Sequence, residues 1–335
     1  MEIIIPKATH KATKRKRLCT PPYRVGILGV FKDENCSNVY FSKAFRGFPE
    51  VASVSNFNYR ESLKRAGNKF PREFSSFASN VDLVVICKGS GIPTQIIKKI
   101  SSYRSTFLWF MDWFPQIEWN KSVGQYSKFC HYRSATGYET ALLWSNKISL
   151  PTYHIVDGSD PDIFYSEGVP EQYKRMDVSF IGGSDTERDQ IKNFLLNEGI
   201  DVHFFGPGYT SFVDVHHFRR ICSRSKIMLN ISRGKYEGYS SLRLWNMLAC
   251  NSFVLTKKIP KMKKYLGLQD EKHIDSFDNL LELKRKIKFY LDNPQIRNKI
   301  SNNAHHYTIN NRTWKHSVGE LLSIVNNEQP YYVKV

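Results

Sequence analysis

Ser240, Ser241 and Arg243 stand where the chain is best suited to hold an anion. They belong to the stretch LNISRGKYEGYSSLRLWNMLACNSFVLT, residues Leu229–Thr256. It reads as the end of a buried strand, a loop rich in Gly, Ser, Arg and Tyr, a short amphipathic helix and a second apolar strand. A strand running through such a loop into a helix brings unpaired amides and the positive end of the helix dipole to one spot. Two hydroxyls and a guanidinium there suit a diphosphate, and so a nucleotide-sugar. Arg233 and Tyr239 of the same loop join the candidate binding set. An ordinary strand–helix–strand crossover whose loop carries serines has the same outline, so the loop alone leaves both readings open.

A second chemistry is available at Asp112. It ends the apolar run STFLWFM and precedes Trp113, Phe114 and Pro115. A carboxylate at a strand's carboxyl end beside aromatic rings can take a proton from an attacking hydroxyl. It can equally cap a helix or pair with a lysine. Trp113 and Trp119 are candidates for stacking on a sugar or base, whereas Trp109, Trp144 and Trp245 fall in core patterns. His131 and His154 lie near strand ends, where a lone histidine is ordinarily structural.

The elements that must position these residues alternate along the chain. Buried strands are expected at Tyr23–Phe31, Val81–Cys87 and Ser105–Met111, further strands at Val51–Phe57 and Thr152–Val156, and helices at 39–48, 92–101 and 137–146. The turn-rich segment GSDPDIF, Gly158–Phe164, marks a linker. Beyond it come strands at Met176–Ile181 and Asp201–Phe205, helices at 186–198 and near 213–223, the central stretch, and a strand around His273. Helices at 277–291, 294–308 and 313–325 finish the chain. Strands alternating with helices in both halves predict an α/β protein of two doubly wound, Rossmann-like domains. Ligands of such sheets sit beyond the carboxyl ends of the strands. Polar or glycine-rich segments recur at those ends, at 32–38, 88–91, 182–188, 206–209 and 232–241. No GxGxxG or P-loop is present, which weighs against dinucleotide binding and NTP hydrolysis.

Apolar residues make up 41% of the 335 and charged residues 24%, the balance of a globular protein with a full core. No run is long enough to span a membrane. The first twenty residues lack the apolar core of a signal peptide. Six scattered cysteines, without a C-x-x-C pair, fit reduced thiols in a cytoplasmic setting and give no zinc site. The formal charge of +18 is spread over both halves and suits a polyanionic partner, though solubility alone would also explain it. The run Lys14-Arg15-Lys16-Arg17 is expected to be a mobile arm.

Taken together these segments resemble the GT-B glycosyltransferases, and within them the CgeB-like group. The resemblance spans roughly residues 24–326. It rests on the linker TYHIVDGSDPDIF, on DVSFIGGSDTERDQI, on SLRLWNMLACNSFVLT, and on the ending TINNRTWKHSVGELL. It implies two Rossmann-like domains facing across a cleft, with a basic arm at 1–22, an acceptor domain at 23–160 and a donor domain at 161–312. The final segment, 313–335, would cross back onto the first domain. It further implies that Gly182, Gly183 and Arg188 lie against the donor pyrophosphate and that Gly206–Tyr209 flank the nucleobase. Ser240, Ser241 and Arg243 would bind the diphosphate, with Arg243 neutralising leaving-group charge. MDWFP resembles the motif that carries the family's acceptor-side aspartate. Many retaining members carry two glutamates eight positions apart, the second on the donor ribose. Here the second position is Asn246, and the first is Gly238, with Glu237 one step away. Asn246 can still bond a ribose hydroxyl, while the part played by Glu237 and the stereochemical outcome stay open.

The function so implied is transfer of a sugar from a UDP-sugar to a hydroxyl acceptor without an obligatory metal. A hydroxymethylated base in DNA is one acceptor suggested by the basic charge. A protein, a cell-wall polymer or another glycan is the alternative. A non-catalytic binding protein on the same fold, and an epimerase of that architecture, are the competing classes.

Overall fold

A computed structural model describes residues 3–4, 19–112, 122–234 and 236–326. The basic run Lys14–Arg17 and the aromatics Trp113, Phe114 and Trp119 lie outside the described residues. The chain divides into two compact units, one of Met1–Val156 with Trp314–Val335 and one of Asp157–Thr313.

The first unit holds a seven-stranded sheet of β1 (Ile3–Ile4), β2 (Tyr23–Gly29), β3 (Val51–Asn58), β4 (Leu83–Cys87), β5 (Ser105–Phe110), β6 (Tyr132–Ala135) and β7 (Thr152–His154). Their spatial order is β1-β7-β6-β5-β4-β2-β3. All neighbours are parallel except β1, which runs antiparallel to β7 with Ile3 opposite Tyr153. Ile3–Ile4 therefore form an edge strand in a region the sequence assigns to a flexible arm. Strands β4 and β5 are buried at every position, which is why their sequences are continuous apolar runs.

On one face of this sheet Leu28, Val84, Ile86, Leu108 and Phe110 pack against Phe70, Phe74, Ile97 and Trp144. On another part Trp109 meets Phe41 and Trp314 edge-on, with centroids 4.9 and 6.0 Å away. These contacts draw the helix Trp314–Val325 into the first unit, and Ser317 Oγ adds a hydrogen bond to Val156 O (2.9 Å).

The second unit holds a five-stranded parallel sheet of β8 (Met176–Ile181), β9 (Val202–Phe205), β10 (Ser225–Asn230), β11 (Val254–Lys257) and β12 (Asp275–Phe277) in the order β12-β11-β10-β8-β9. The chain leaves β8 for β9 on one side, then returns to β10 on the other and continues outward. The reversal between β8 and β10 is a topological switch point, where loops following the two strands diverge and leave a crevice. Val178, Phe180, Ile227, Leu229 and Leu255 form the core beneath it.

Helix starts in this unit follow side-chain capping. Asp185 accepts from Arg188 N to begin Thr186–Asn197, Asp214 from His217 N to begin Val215–Arg224, and Asn279 from Glu282 N to begin Leu280–Asp292. The helix Leu242–Ala249 is different. Its N-cap residue Ser241 makes no capping hydrogen bond.

Candidate functional site at the carboxyl edge of the second sheet

The glycines after β8 and β9 allow the two turns to touch. Gly206 has φ +111°, and a Cβ there would stand 2.7 Å from Gly182 O. A Cβ on Gly182 would in turn collide with Arg243 Nη1 and come within 2.8 Å of the Phe180 ring. The contact is fixed by Gly182 N to Phe205 O (2.8 Å) and Ser184 N to Pro207 O (2.9 Å).

Three guanidiniums converge on this edge. Arg243 donates through Nη1 to Ile181 O (2.7 Å), at the end of β8, and through Nη2 to Ile231 O (3.3 Å), just past β10. It thus spans the switch point. Arg188 donates to the same Ile231 O (2.8 Å) and to Gly183 O (2.8 Å). Arg188 and Arg243 both lie over the Phe180 ring, 5.1 and 4.9 Å from its centroid. Arg233 reaches Asp185 Oδ2 (3.1 Å), and Asp185 also pairs with Arg188 (3.1 Å).

Asp185 therefore pairs with two of the three cations, Arg188 and Arg233, while Arg243 has only carbonyl hydrogen-bond partners among the described residues, and the electrostatics register the imbalance. Burial pushes Arg243 down to about 9, and the charges of Arg188 and Arg233 push the same way. Burial likewise lowers Arg188, partly offset by Asp185. Burial alone would raise Asp185, but the Arg188 amide and the Arg188 and Arg233 charges hold it below its ordinary value. At neutral pH the cluster remains cationic.

Polar atoms without partners point to the same place. Ser232 Oγ, Ser240 Oγ, Ser241 Oγ and Arg243 Nε are buried with no hydrogen-bond partner. All four belong to one loop and the helix it feeds, on the edge where the guanidiniums converge. Ser232 and Tyr239 also line a narrow cleft with Tyr236, Lys257 and Lys258.

The structure thus brings Gly182, Gly183, Arg188, Arg233, Ser240, Ser241 and Arg243 to one edge. Others are engaged elsewhere. Tyr209 donates its hydroxyl to Asp189 (2.6 Å), and burial followed by that bond raises its pKa. Its ring packs on Phe204 at 5.2 Å, beside Gly206. Glu237 is held by Lys261 at 2.8 Å. Asn246 is buried, and its Oδ1 accepts from Ser159 Oγ (3.0 Å). In the first unit Asp112 is ion-paired with Lys88. His131 Nδ1 meets Thr106 Oγ1 (3.1 Å) and His154 Nε2 donates to Thr136 O (3.1 Å), both within the first sheet. Trp109, Trp144 and Trp245 are buried.

Sequence reasoning singled out neither Asp185 nor Ser232. Asp185 carried a signal, since an Asp three residues before Arg188 at a helix start is a capping position. Among the described residues no group of three or more His, Cys, Asp or Glu side chains could hold a metal ion, and no helix is long and apolar enough to cross a membrane.

Residues 188–323 match a family model described as glycosyl transferase-like. In structure the chain is similar to HepE of Anabaena in complex with UDP-glucose, with a TM-score of 0.63 and 12% identity over 90% of this chain and 100% of that one. It is similar to a glycosyltransferase from Rickettsia africae at a TM-score of 0.60, with 11% identity over 91% and 98% of the two chains. An alpha-glucosyltransferase in complex with UDP-glucose and DNA containing an abasic site gives 0.65, with 11% identity over 91% and 99%. No curated protein matches by sequence. The fold is that of the GT-B glycosyltransferases, while the CgeB-like likeness rests on its motifs alone.

Proposed function

We propose that the protein transfers a sugar from a nucleoside-diphosphate sugar, with UDP as the leaving group, to a hydroxyl acceptor. The observation that carries this reading is the cluster of Arg188, Arg233 and Arg243 across the switch point, with three orphaned serine hydroxyls beside it. Breaking the bond from the sugar's anomeric carbon to the β-phosphate oxygen leaves a second unit of charge on the β-phosphate, the third on the diphosphate. The fixed guanidiniums of Arg188 and Arg243 and the uncapped start of the Leu242–Ala249 helix stabilise that charge without reorganising. Gly182 makes room for the Arg243 guanidinium, Gly183 lets the diphosphate approach the backbone, and Ser240 and Ser241 offer hydroxyl donors to its oxygens. Asn246 is the residue we assign to the donor ribose, and Tyr209, with the Gly206 turn, to the edge of the base. Asp112 is the group we assign to receive the acceptor's proton, and Lys88 orients its carboxylate. We leave Glu237, tied to Lys261, without a chemical step.

The acceptor we infer is a nucleic acid carrying a hydroxyl on a base. The formal charge of +18 supports this reading, as does a structural neighbour in complex with UDP-glucose and DNA.

The test is a thermal-shift screen of UDP-, GDP- and TDP-sugars followed by UDP release in the presence of hydroxymethylated DNA. A UDP-sugar should raise the melting temperature and lose UDP only when acceptor is present. Asp112→Asn should keep the thermal shift and lower turnover at least a hundredfold. No thermal response to any of the sugars would refute the donor reading. Full turnover in Asp112→Asn would remove the assigned base.

A further inference from the structure

At the carboxyl edge of the β2–β3 pair, an open cleft of about 630 Å³ is lined by Val30, Phe31, Lys32, Asn58, Arg60, Glu61 and Lys64. We propose that this cleft binds an unpaired stretch of nucleic acid, with Lys32, Arg60 and Lys64 on successive phosphates and Phe31 under a base. The proposal rests on the nucleic-acid acceptor inferred above, and assigns that acceptor's strand a place on the first unit.

The cleft is built by the fold. Strands β2 and β3 run parallel in register, Leu28 beside Phe57 and Gly29 beside Asn58, so their following segments leave the sheet together. Asn58 Nδ2 donates to Phe31 O (3.1 Å) and so ties the loop after β2 to the start of the helix Tyr59–Ala66. Arg60 and Lys64 are four residues apart on that helix and share one face. Helix rise sets their Cα atoms about 6 Å apart along the axis. Lys32, Arg60 and Lys64 are exposed, and no carboxylate pairs with any of them among the described residues. Glu61, the carboxylate in the lining, is turned to Asn58 Nδ2 (3.1 Å). By contrast the neighbouring Arg65 is neutralised by Glu73 (2.9 Å). The lining thus keeps an excess of two positive charges beside Val30 and a partly exposed Phe31.

Cations along a groove with an aromatic ring in its lining are the combination that holds single-stranded nucleic acid. The charges take the backbone, and the ring takes whichever base lies over it. A polysaccharide polyanion would use the lysines and arginine but has no flat base for Phe31. The unpaired form also suits the chemistry, because an enzyme that encloses a base in its site takes that base out of the stack.

The experiment is fluorescence anisotropy of a labelled twelve-nucleotide oligo(dT) on the full chain, from 50 to 200 mM salt. Lys32→Ala/Arg60→Ala/Lys64→Ala should raise Kd at least tenfold and lower the log–log salt slope by about 2, the share of three single-strand phosphate contacts. A control that removes the same charge from exposed lysines of the second unit, Lys272→Ala/Lys288→Ala/Lys299→Ala, should stay within twofold of wild type. Phe31→Ala should weaken oligo(dT) at least fivefold, Phe31→Tyr should restore it, and dextran sulfate should bind Phe31→Ala as it binds wild type. Equal loss in the two triple variants, or no effect of Phe31→Ala, overturns the assignment. Dextran sulfate affected by Phe31→Ala as strongly as oligo(dT) overturns it too. The UDP-glucose thermal shift is measured alongside. If it persists in wild type while oligo(dT) fails to bind, the cleft assignment falls and the donor reading stands. If oligo(dT) binds as described and UDP-glucose does not, the reverse holds.

Discussion

Replacing Arg243 by Met separates what this guanidinium does for the fold from what it does for a ligand. In the unliganded protein its two carbonyl bonds, at 2.7 and 3.3 Å, favour the folded state. Burial of the cation beside Arg188 and Arg233 opposes them. Hydrogen bonds from a charged donor are worth about 1.5–3 kcal/mol each, and uncompensated burial costs a similar amount. The net change in stability should therefore stay within about 1–2 kcal/mol, and methionine keeps the apolar contact with Phe180. A bound diphosphate changes the balance. Removing one member of a buried charge pair costs about 2–5 kcal/mol, equivalent to a loss of affinity of about thirtyfold to several thousandfold. At UDP a hundred times Kd, wild type gains about 2.7 kcal/mol, or about 5–10 °C for a unit of this size. At the same concentration a variant thirtyfold weaker gains less than about 1 kcal/mol, so the shift shrinks to a third or below. Scanning calorimetry with and without UDP measures both quantities. A folded Arg243→Met variant with the full UDP shift would show that the switch-point cluster does not bind the diphosphate.

Two further predictions share that geometry. Burial holds Arg243 at about 9, below the ordinary arginine value it has in the unfolded chain. Between about 9 and the ordinary value the unfolded state binds more protons, so this residue's penalty is present below pH 9 and relieved as pH rises through it. The stability difference between wild type and Arg243→Met should move in favour of wild type above pH 9, while UDP affinity of wild type declines; calorimetry and titration from pH 7 to 10.5 check both, and a flat difference would contradict the charge argument. Gly206→Ala adds a Cβ 2.7 Å from a backbone oxygen at φ +111°, and should cost roughly 2–4 kcal/mol in urea unfolding and weaken UDP with it. A loss below about 0.5 kcal/mol would mean the two turns are not in contact.

Much of this fold was legible because its central strands are buried on both faces. LVVIC and STFLWF advertise central parallel strands, and SDTER and FDNLLE advertise capped helices. Strand β6, Tyr-Arg-Ser-Ala, was not legible. Its polar residues are satisfied by tertiary partners, above all Arg133, which donates to Ser127 O (3.1 Å) and Pro151 O (3.0 Å) while fully buried. The helices Tyr59–Ala66 and Phe70–Ser79 were hidden by their charged, short amphipathic runs and by the glycine between them. At the site, sequence supplied the arginines and serines but not the partners they share. That Arg188 and Arg243 meet at Ile231 O follows from strand order, which no local pattern encodes.

The three arginines differ in how firmly they are held, and this assigns them different parts. Arg188 is 7% exposed and fixed by Gly183 O and Ile231 O, and Arg243 bridges two strand ends. Arg233 is 49% exposed, with Asp185 as its charged partner. Two rigid cations preorganise the anion site, while the third can leave Asp185 for an arriving phosphate. Asp185 then keeps its cap on the Thr186–Asn197 helix and its contact with Arg188. On this account the carboxylate competes with the ligand. Asp185→Asn preserves the cap, since asparagine is as good an N-cap as aspartate, but removes the competing charge. It should tighten inorganic pyrophosphate about three- to tenfold at low salt, an effect that fades as salt rises. The unliganded protein should lose about 1 kcal/mol, as expected for a partly exposed charge. Isothermal titration at two salt concentrations decides the matter. Weaker pyrophosphate binding in Asp185→Asn would mean that Asp185 organises the arginines for the anion instead of holding their place until it arrives.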